Sequence, residues 1–136
     1  MDSDDMRGRV AAARVARLAT LGRDGAPHLV PFCFALSGDV LYSTVDHKRK
    51  RSSRLQRFDN VARDPRVGVL VDHYEEDWSK LWWVRLEGLA RELESGAEAN
   101  EALRLLTAKY GQYRDDPPSG PVLRIELQRW SGWTAS

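Results

Sequence analysis

The chain has 136 residues, 42% hydrophobic and 30% charged, with 21 Lys and Arg against 20 Asp and Glu. That is the size of one domain over residues 1–136 with a core of its own, and it excludes a disordered or collagen-like chain. The net charge of +1 excludes coating nucleic acid through global charge, and the single Cys33 excludes a disulfide framework or a multi-cysteine zinc site.

The first residues, Met1-Asp2-Ser3-Asp4-Asp5, are acidic where a secretory leader is basic. No apolar run reaches the ~18 residues that suggest a membrane span. With the lone cysteine, this predicts a soluble, cytoplasmic protein with neither a membrane nor a nucleic-acid partner.

Ser3 is placed to cap a helix running to about Arg14, with Met6, Val10 and Ala13 on one face. Residues 15–21 read as a strand ended by the turn Gly22-Arg23-Asp24-Gly25, and residues 27–36 as a second. Ser37-Gly38-Asp39 reverses the chain into a third strand, residues 40–45, so an antiparallel hairpin is expected. Ser52 or Ser53 can cap the next helix, with Leu55, Phe58 and Ala62 on one stripe and Asp64-Pro65 as its stop. Val67, Val69 and Val71 alternate in a fourth strand.

The fifth strand, residues 81–93, changes the parity of its apolar positions around Gly88, which predicts a β-bulge or bend there. Ser95 and Glu98 have capping-box spacing ahead of a helix carrying Ala99, Leu103, Leu106 and Tyr110 on one face. Residues 111–120 read as a polar loop. In the last strand Leu123, Ile125 and Leu127 face inward, and Trp130-Ser131-Gly132-Trp133 closes the chain. The expected fold is α+β and mainly β: a six-stranded antiparallel split β-barrel with short peripheral helices.

The sequence contains no G-x-G-x-x-G, P-loop, H-E-x-x-H or C-x-x-C. His28, His47 and His73 fall in different elements without ligand spacing, and Cys33 in its apolar strand reads as a buried structural residue. No catalytic side chain and no metal site are therefore assigned. The segment Asp46-His47-Lys48-Arg49-Lys50-Arg51-Ser52-Ser53-Arg54 differs, because it joins a strand end to a helix start. Unpaired N–H groups, a helix dipole and forked cations at such a junction suit a phosphate. A solvated basic turn is the alternative, and a nucleic-acid patch is disfavoured because no stacking aromatics stand beside it. Trp78, Trp82, Trp83, Trp130 and Trp133 can wall an apolar slot or pack in the core and a dimer interface.

Taken in order, Leu18-Ala19-Thr20-Leu21 and Asp24-Gly25-Ala26-Pro27-His28-Leu29-Val30-Pro31-Phe32 resemble the opening hairpin of the pyridoxamine 5′-phosphate oxidase-like family. Leu41-Tyr42-Ser43-Thr44 with Lys48, Lys50-Arg51 and Leu55 resembles its second hairpin strand and phosphate turn, and Asp64-Pro65-Arg66-Val67 its helix-to-strand junction. The block from Tyr74 to Gly88, with Trp82-Trp83-Val84-Arg85 at its centre, is similar to a subgroup of deazaflavin-dependent oxidoreductases.

The resemblance implies an FMN-binding split barrel that forms a homodimer, with a flavin or its deaza analogue coenzyme F420 in a groove at the subunit interface. It implies that Lys48, Lys50, Arg51 and Arg54 hold the phosphate. Val30, Pro31 and Phe32 would lie along the ring, with Ser43 and Thr44 on the neighbouring strand. Where pyridoxamine-phosphate oxidases carry a cofactor-binding Arg and Lys, this chain reads His28-Leu29-Val30-Pro31-Phe32. That departure favours a coenzyme F420-dependent hydride transfer to an unsaturated small molecule. An FMN-dependent oxidoreductase and a non-catalytic cofactor-binding protein are the alternatives.

Overall fold

The computed structural model describes residues 1–45 and 55–136. Strands β1 (Ala16–Leu21), β2 (Pro27–Phe32), β3 (Ala35–Ser37), β4 (Val40–Thr44), β5 (Arg66–His73), β6 (Trp82–Leu93) and β7 (Val122–Thr134) form one antiparallel sheet in the order β2-β1-β5-β6-β7-β4-β3. Helices α1 (Ser3–Ala12), α2 (Gln56–Arg63), α3 (Ala97–Lys109) and α4 (Gly111–Asp115), with a 3₁₀ turn at Trp78–Lys80, lie around it. Among the described residues no helix is long and apolar enough to cross a membrane.

Among the described residues the sheet has seven strands where six were expected, and its ladder does not close into a barrel. The expected strand over residues 27–36 breaks at Cys33-Phe34, sending β2 to one edge and β3 to the other. Consecutive Cα atoms are only ~3.8 Å apart, so this two-residue link requires the sheet to curl until its edges meet. Side chains satisfy the broken backbone. The Ser43 hydroxyl donates to the Cys33 carbonyl oxygen at 2.7 Å, and the Phe34 N–H donates to the Tyr110 hydroxyl at 3.1 Å. Because those groups are paired outside any ladder, the break costs little.

Inside the curl, Leu18, Val69, Val84, Leu86, Leu123 and Ile125 alternate inward and meet Phe34, Val10 of α1 and Phe58 of α2. Three local expectations are corrected. Asp2, not Ser3, caps α1, accepting from the Asp5 N–H at 2.8 Å. In α2 the buried apolar face is Phe58 and Val61, while Ala62 is exposed; the helix begins after Leu55, which makes no side-chain cap, and Ser52 and Ser53 lie outside the described residues. The polar loop contains α4, and the last strand runs on through Trp130–Trp133 to Thr134.

The capping box does not form either, since Gly96 caps α3 with no side-chain bond. Glu98 is drawn away by stronger tertiary partners, accepting from the Tyr42 hydroxyl at 2.6 Å and Arg124 Nε at 2.7 Å. A register irregularity lies at Gly88 as expected, but the extra residue is in β7, and β6 keeps one inward parity through Val84, Leu86, Gly88 and Ala90. Glu87 pairs with Arg129 and Gly88 with Leu127, which leaves Gln128 unopposed. Gly88 itself is needed for close approach, because a Cβ there would run into the Glu126 carbonyl.

Candidate functional site

A cleft of about 490 Å³ opens where the two sheet edges meet. The end of β2 supplies Pro31 and Phe32, the link supplies Cys33, and the end of β4 supplies Thr44 and the following Val45. Pro31 is tolerated in a strand because β2 is an edge. The opposite wall comes from the α3–α4 junction with Tyr110 and Tyr113, whose rings meet edge-on at 5.7 Å, and the rim carries Asp115 and Asp116. Arg57 of α2, itself buried, brings a cation to the lining.

The walls are fixed by polar bonds behind them. Thr44 Oγ1 donates to the Pro121 carbonyl oxygen at 2.8 Å. The Tyr110 hydroxyl proton lies between the carbonyl oxygens of Arg14, at 2.9 Å, and Phe34, at 3.1 Å. Burial pushes the Tyr110 phenol up to about 12, so it stays a neutral donor. The side chains that could contact an occupant are mostly apolar or aromatic. Volume and lining together suit a small molecule with a flat ring, for which sites of ~300–1,000 Å³ are usual.

The cleft gathers Pro31, Phe32 and Thr44 from the residues singled out in the sequence. Val30 instead packs against the core, and the Ser43 hydroxyl is spent on the Cys33 carbonyl oxygen. Lys48, Lys50, Arg51 and Arg54 lie outside the described residues. Sequence reasoning missed Arg57, Tyr110 and Tyr113. In sequence Tyr110 shows only as one of four residues on a helix face, and Tyr113 falls in a segment that reads as loop.

None of the five tryptophans lines this cleft. Trp82, Trp83 and Trp133 instead wall a separate recess of about 290 Å³ with Leu70, Tyr74 and Arg85. There His73 stacks on Trp82 and contacts the Glu75 carboxylate, and the Arg85 guanidinium lies 5.4 Å from the Trp83 ring centre. Trp130 packs under Arg7 of α1, and Trp78 stands exposed on the 3₁₀ turn. Among the described residues no cluster of three or more His, Cys, Asp and Glu is placed to hold a metal ion.

The family model described as pyridoxamine 5′-phosphate oxidase matches residues 3–134. A 5a,11a-dehydrotetracycline/5a,11a-dehydrooxytetracycline reductase of Streptomyces rimosus is 32% identical over 96 residues, spanning 65% of this chain and 66%, just under two thirds, of that protein. A conserved hypothetical protein of Mycobacterium tuberculosis superposes with a TM-score of 0.81 at 23% identity, over 99% of this chain and 86% of that one. An FAD-binding protein of Mesorhizobium loti superposes with a TM-score of 0.62 at 22% identity, over 97% and 94% of the two chains. At these identities the two structures are alike in fold.

Proposed function

The chain belongs to the pyridoxamine 5′-phosphate oxidase family, and from that premise we propose that it is an oxidoreductase that binds coenzyme F420 in the cleft between β2, β4 and the α3–α4 junction. The carrying observation is the cleft itself, with apolar walls at Pro31, Phe32 and Tyr110 and with Val45 leading in sequence into the cation-rich residues 46–54. A relative named as a reductase of dehydrotetracyclines supports an unsaturated small molecule as hydride acceptor. FMN is the alternative cofactor, and a fold neighbour named as FAD-binding is compatible with it.

In this reading Pro31, Phe32, Tyr110 and Tyr113 hold the ring and exclude water. Thr44 closes one side, and Lys48, Lys50, Arg51 and Arg54 take the phosphate. The bound cofactor supplies the hydride, and the protein supplies position and electrostatics. A second copy of the chain completes the groove. That part rests on Leu70, Tyr74 and Trp133, large apolar side chains left exposed on the tryptophan recess, and on the exposed Trp78 of the 3₁₀ turn.

Titrating the purified protein with coenzyme F420 and with FMN, followed by cofactor fluorescence, tests the reading. Submicromolar binding of the deazaflavin with weaker FMN binding is expected, and the reverse order would make this an FMN enzyme. Lys50→Ala and Arg51→Ala should each weaken cofactor binding about ten- to a hundred-fold, the worth of one charge-assisted contact. Unchanged affinity in both would leave the basic segment a solvated surface.

A further inference from the structure

Behind the cleft wall stands an amine with no acceptor. Lys109 is the last residue of α3, and its Nζ is sealed from solvent with no hydrogen-bond partner among the described residues. It lies 4.0 Å from the ring centre of Phe34 and 5.3 Å from that of Tyr110. Phe34 is fully buried and directly follows Cys33, and both Cys33 and Tyr110 line the cleft. Two ring faces attract a cation, but they replace only part of the hydration that burial removes.

The neighbours do not neutralise it. Arg14, which precedes β1, donates from Nη1 to the Lys109 carbonyl oxygen at 2.6 Å and adds a second positive charge. Tyr110 stays neutral because burial raises its phenol. Burial, then the Arg14 charge, pulls the Lys109 amine down to about 8, with only Cys33 acting the other way. Among the described residues no carboxylate forms an ion pair with Lys109.

We propose, resting on the reading of the cleft as the cofactor site, that Lys109 is a ligand-binding cation whose ε-ammonium turns from the Phe34 ring past Cys33 to pair with an anionic oxygen of the cleft's occupant. The flexible four-carbon stem permits the movement, and three rotatable donors let it meet an oxygen from several directions. Leaving the ammonium unpaired in the empty protein strengthens binding, because the occupant relieves a cost already present in the fold. The oxygen belongs to the phosphate or to the ring system of a flavin-type molecule.

The test compares wild type with Lys109→Met and Lys109→Arg in the full chain. Each is titrated with coenzyme F420, FMN and their phosphate-free chromophores, and the ligand-free melting temperature is measured alongside. Lys109→Met should melt no lower than wild type, since it removes a buried unpaired charge, yet bind the phosphate-bearing cofactors at least about tenfold more weakly. Lys109→Arg should retain most of the affinity, and should hold it between pH 7 and 9.5 where wild type loses it.

A loss confined to phosphate-bearing ligands supports pairing with the phosphate, and an equal loss with the phosphate-free chromophores supports pairing with the ring. Unchanged affinity in Lys109→Met overturns the assignment, as does a fall in melting temperature that parallels the fall in affinity. If wild type binds none of these molecules, the reading of the cleft fails and the Lys109 assignment fails with it. Wild-type binding with an indifferent Lys109→Met defeats the lysine alone.

Discussion

The cleft and the tryptophan recess are both concave and both aromatic, yet they are built in opposite ways. Around the cleft, hydroxyls in or just behind the walls are turned backward into bonds that hold the backbone: Ser43 to Cys33, Thr44 to Pro121, Tyr110 to Phe34 and Arg14. In the recess the large rings themselves form the surface, held by His73 stacking on Trp82 and by Arg85 against Trp83. Trp133 is left 46% exposed and Tyr74 72% exposed. A wall braced from behind keeps its shape when a ligand leaves. Half-exposed rings on a sheet face gain most when another surface covers them.

The largest expected effect removes what both regions share. Gly88 lies where β6 and β7 shift register, and a side chain there collides with the Glu126 backbone. Gly88→Val should cost roughly 3 kcal/mol, the upper part of the range for overpacking. On a domain of this size that lowers the melting temperature by roughly 10 °C. An unchanged midpoint would mean the ribbon yields at Gln128 instead.

Next, Tyr110→Phe keeps the ring on the cleft and removes only its hydroxyl, leaving the Phe34 N–H without its acceptor. A loss of about 1–2 kcal/mol in denaturant unfolding is expected, with weaker cofactor binding. If stability falls but binding does not, the bracing serves the core rather than the cleft.

The recess responds differently. Trp133→Ser should change the melting of the isolated protomer by less than about 1 kcal/mol, because the ring is half exposed. Sedimentation of the same variant should show more monomer than wild type. A dimer of undiminished strength would place the contact between copies elsewhere.

The smallest effects are titrations, and they have opposite signs at adjacent residues. Lys109 has a folded value of about 8 against the usual 10.5, so its contribution is fully present above the unfolded value and is lost as pH falls through 8. Tyr42 and Tyr110 are raised from 10 to about 12, by burial first in each, so their contribution is present below 10 and lost as pH rises through 12. Stability should therefore climb from pH 8 towards 10 and decline above it. Lys109→Met should abolish the climb and keep the decline, as urea midpoints across this range would show.

Where local chemistry decides, the sequence was legible. The alternation of Val67, Val69 and Val71 and of Leu123, Ile125 and Leu127 marks the inward faces of β5 and β7. Gly88 in the fifth strand marked the place of the irregularity, and the order of short motifs pointed to the family that the match over residues 3–134 establishes. These signals survive folding because side-chain period and backbone register are set between near neighbours in the chain.

The tertiary structure decided the rest by competition between partners far apart in sequence. Glu98 forgoes its capping box for Tyr42 and Arg124, which offer a charge-assisted bond that a backbone N–H does not match. The strand through Cys33 breaks because Ser43 and Tyr110, 10 and 76 residues from their partners, satisfy its backbone groups. That break separates β2 from β3, curls the sheet and opens the cleft at its seam. A cleft wall made by bonds of such span has no local pattern to betray it, and so Tyr110, Arg57 and Lys109 emerge only when the chain is folded.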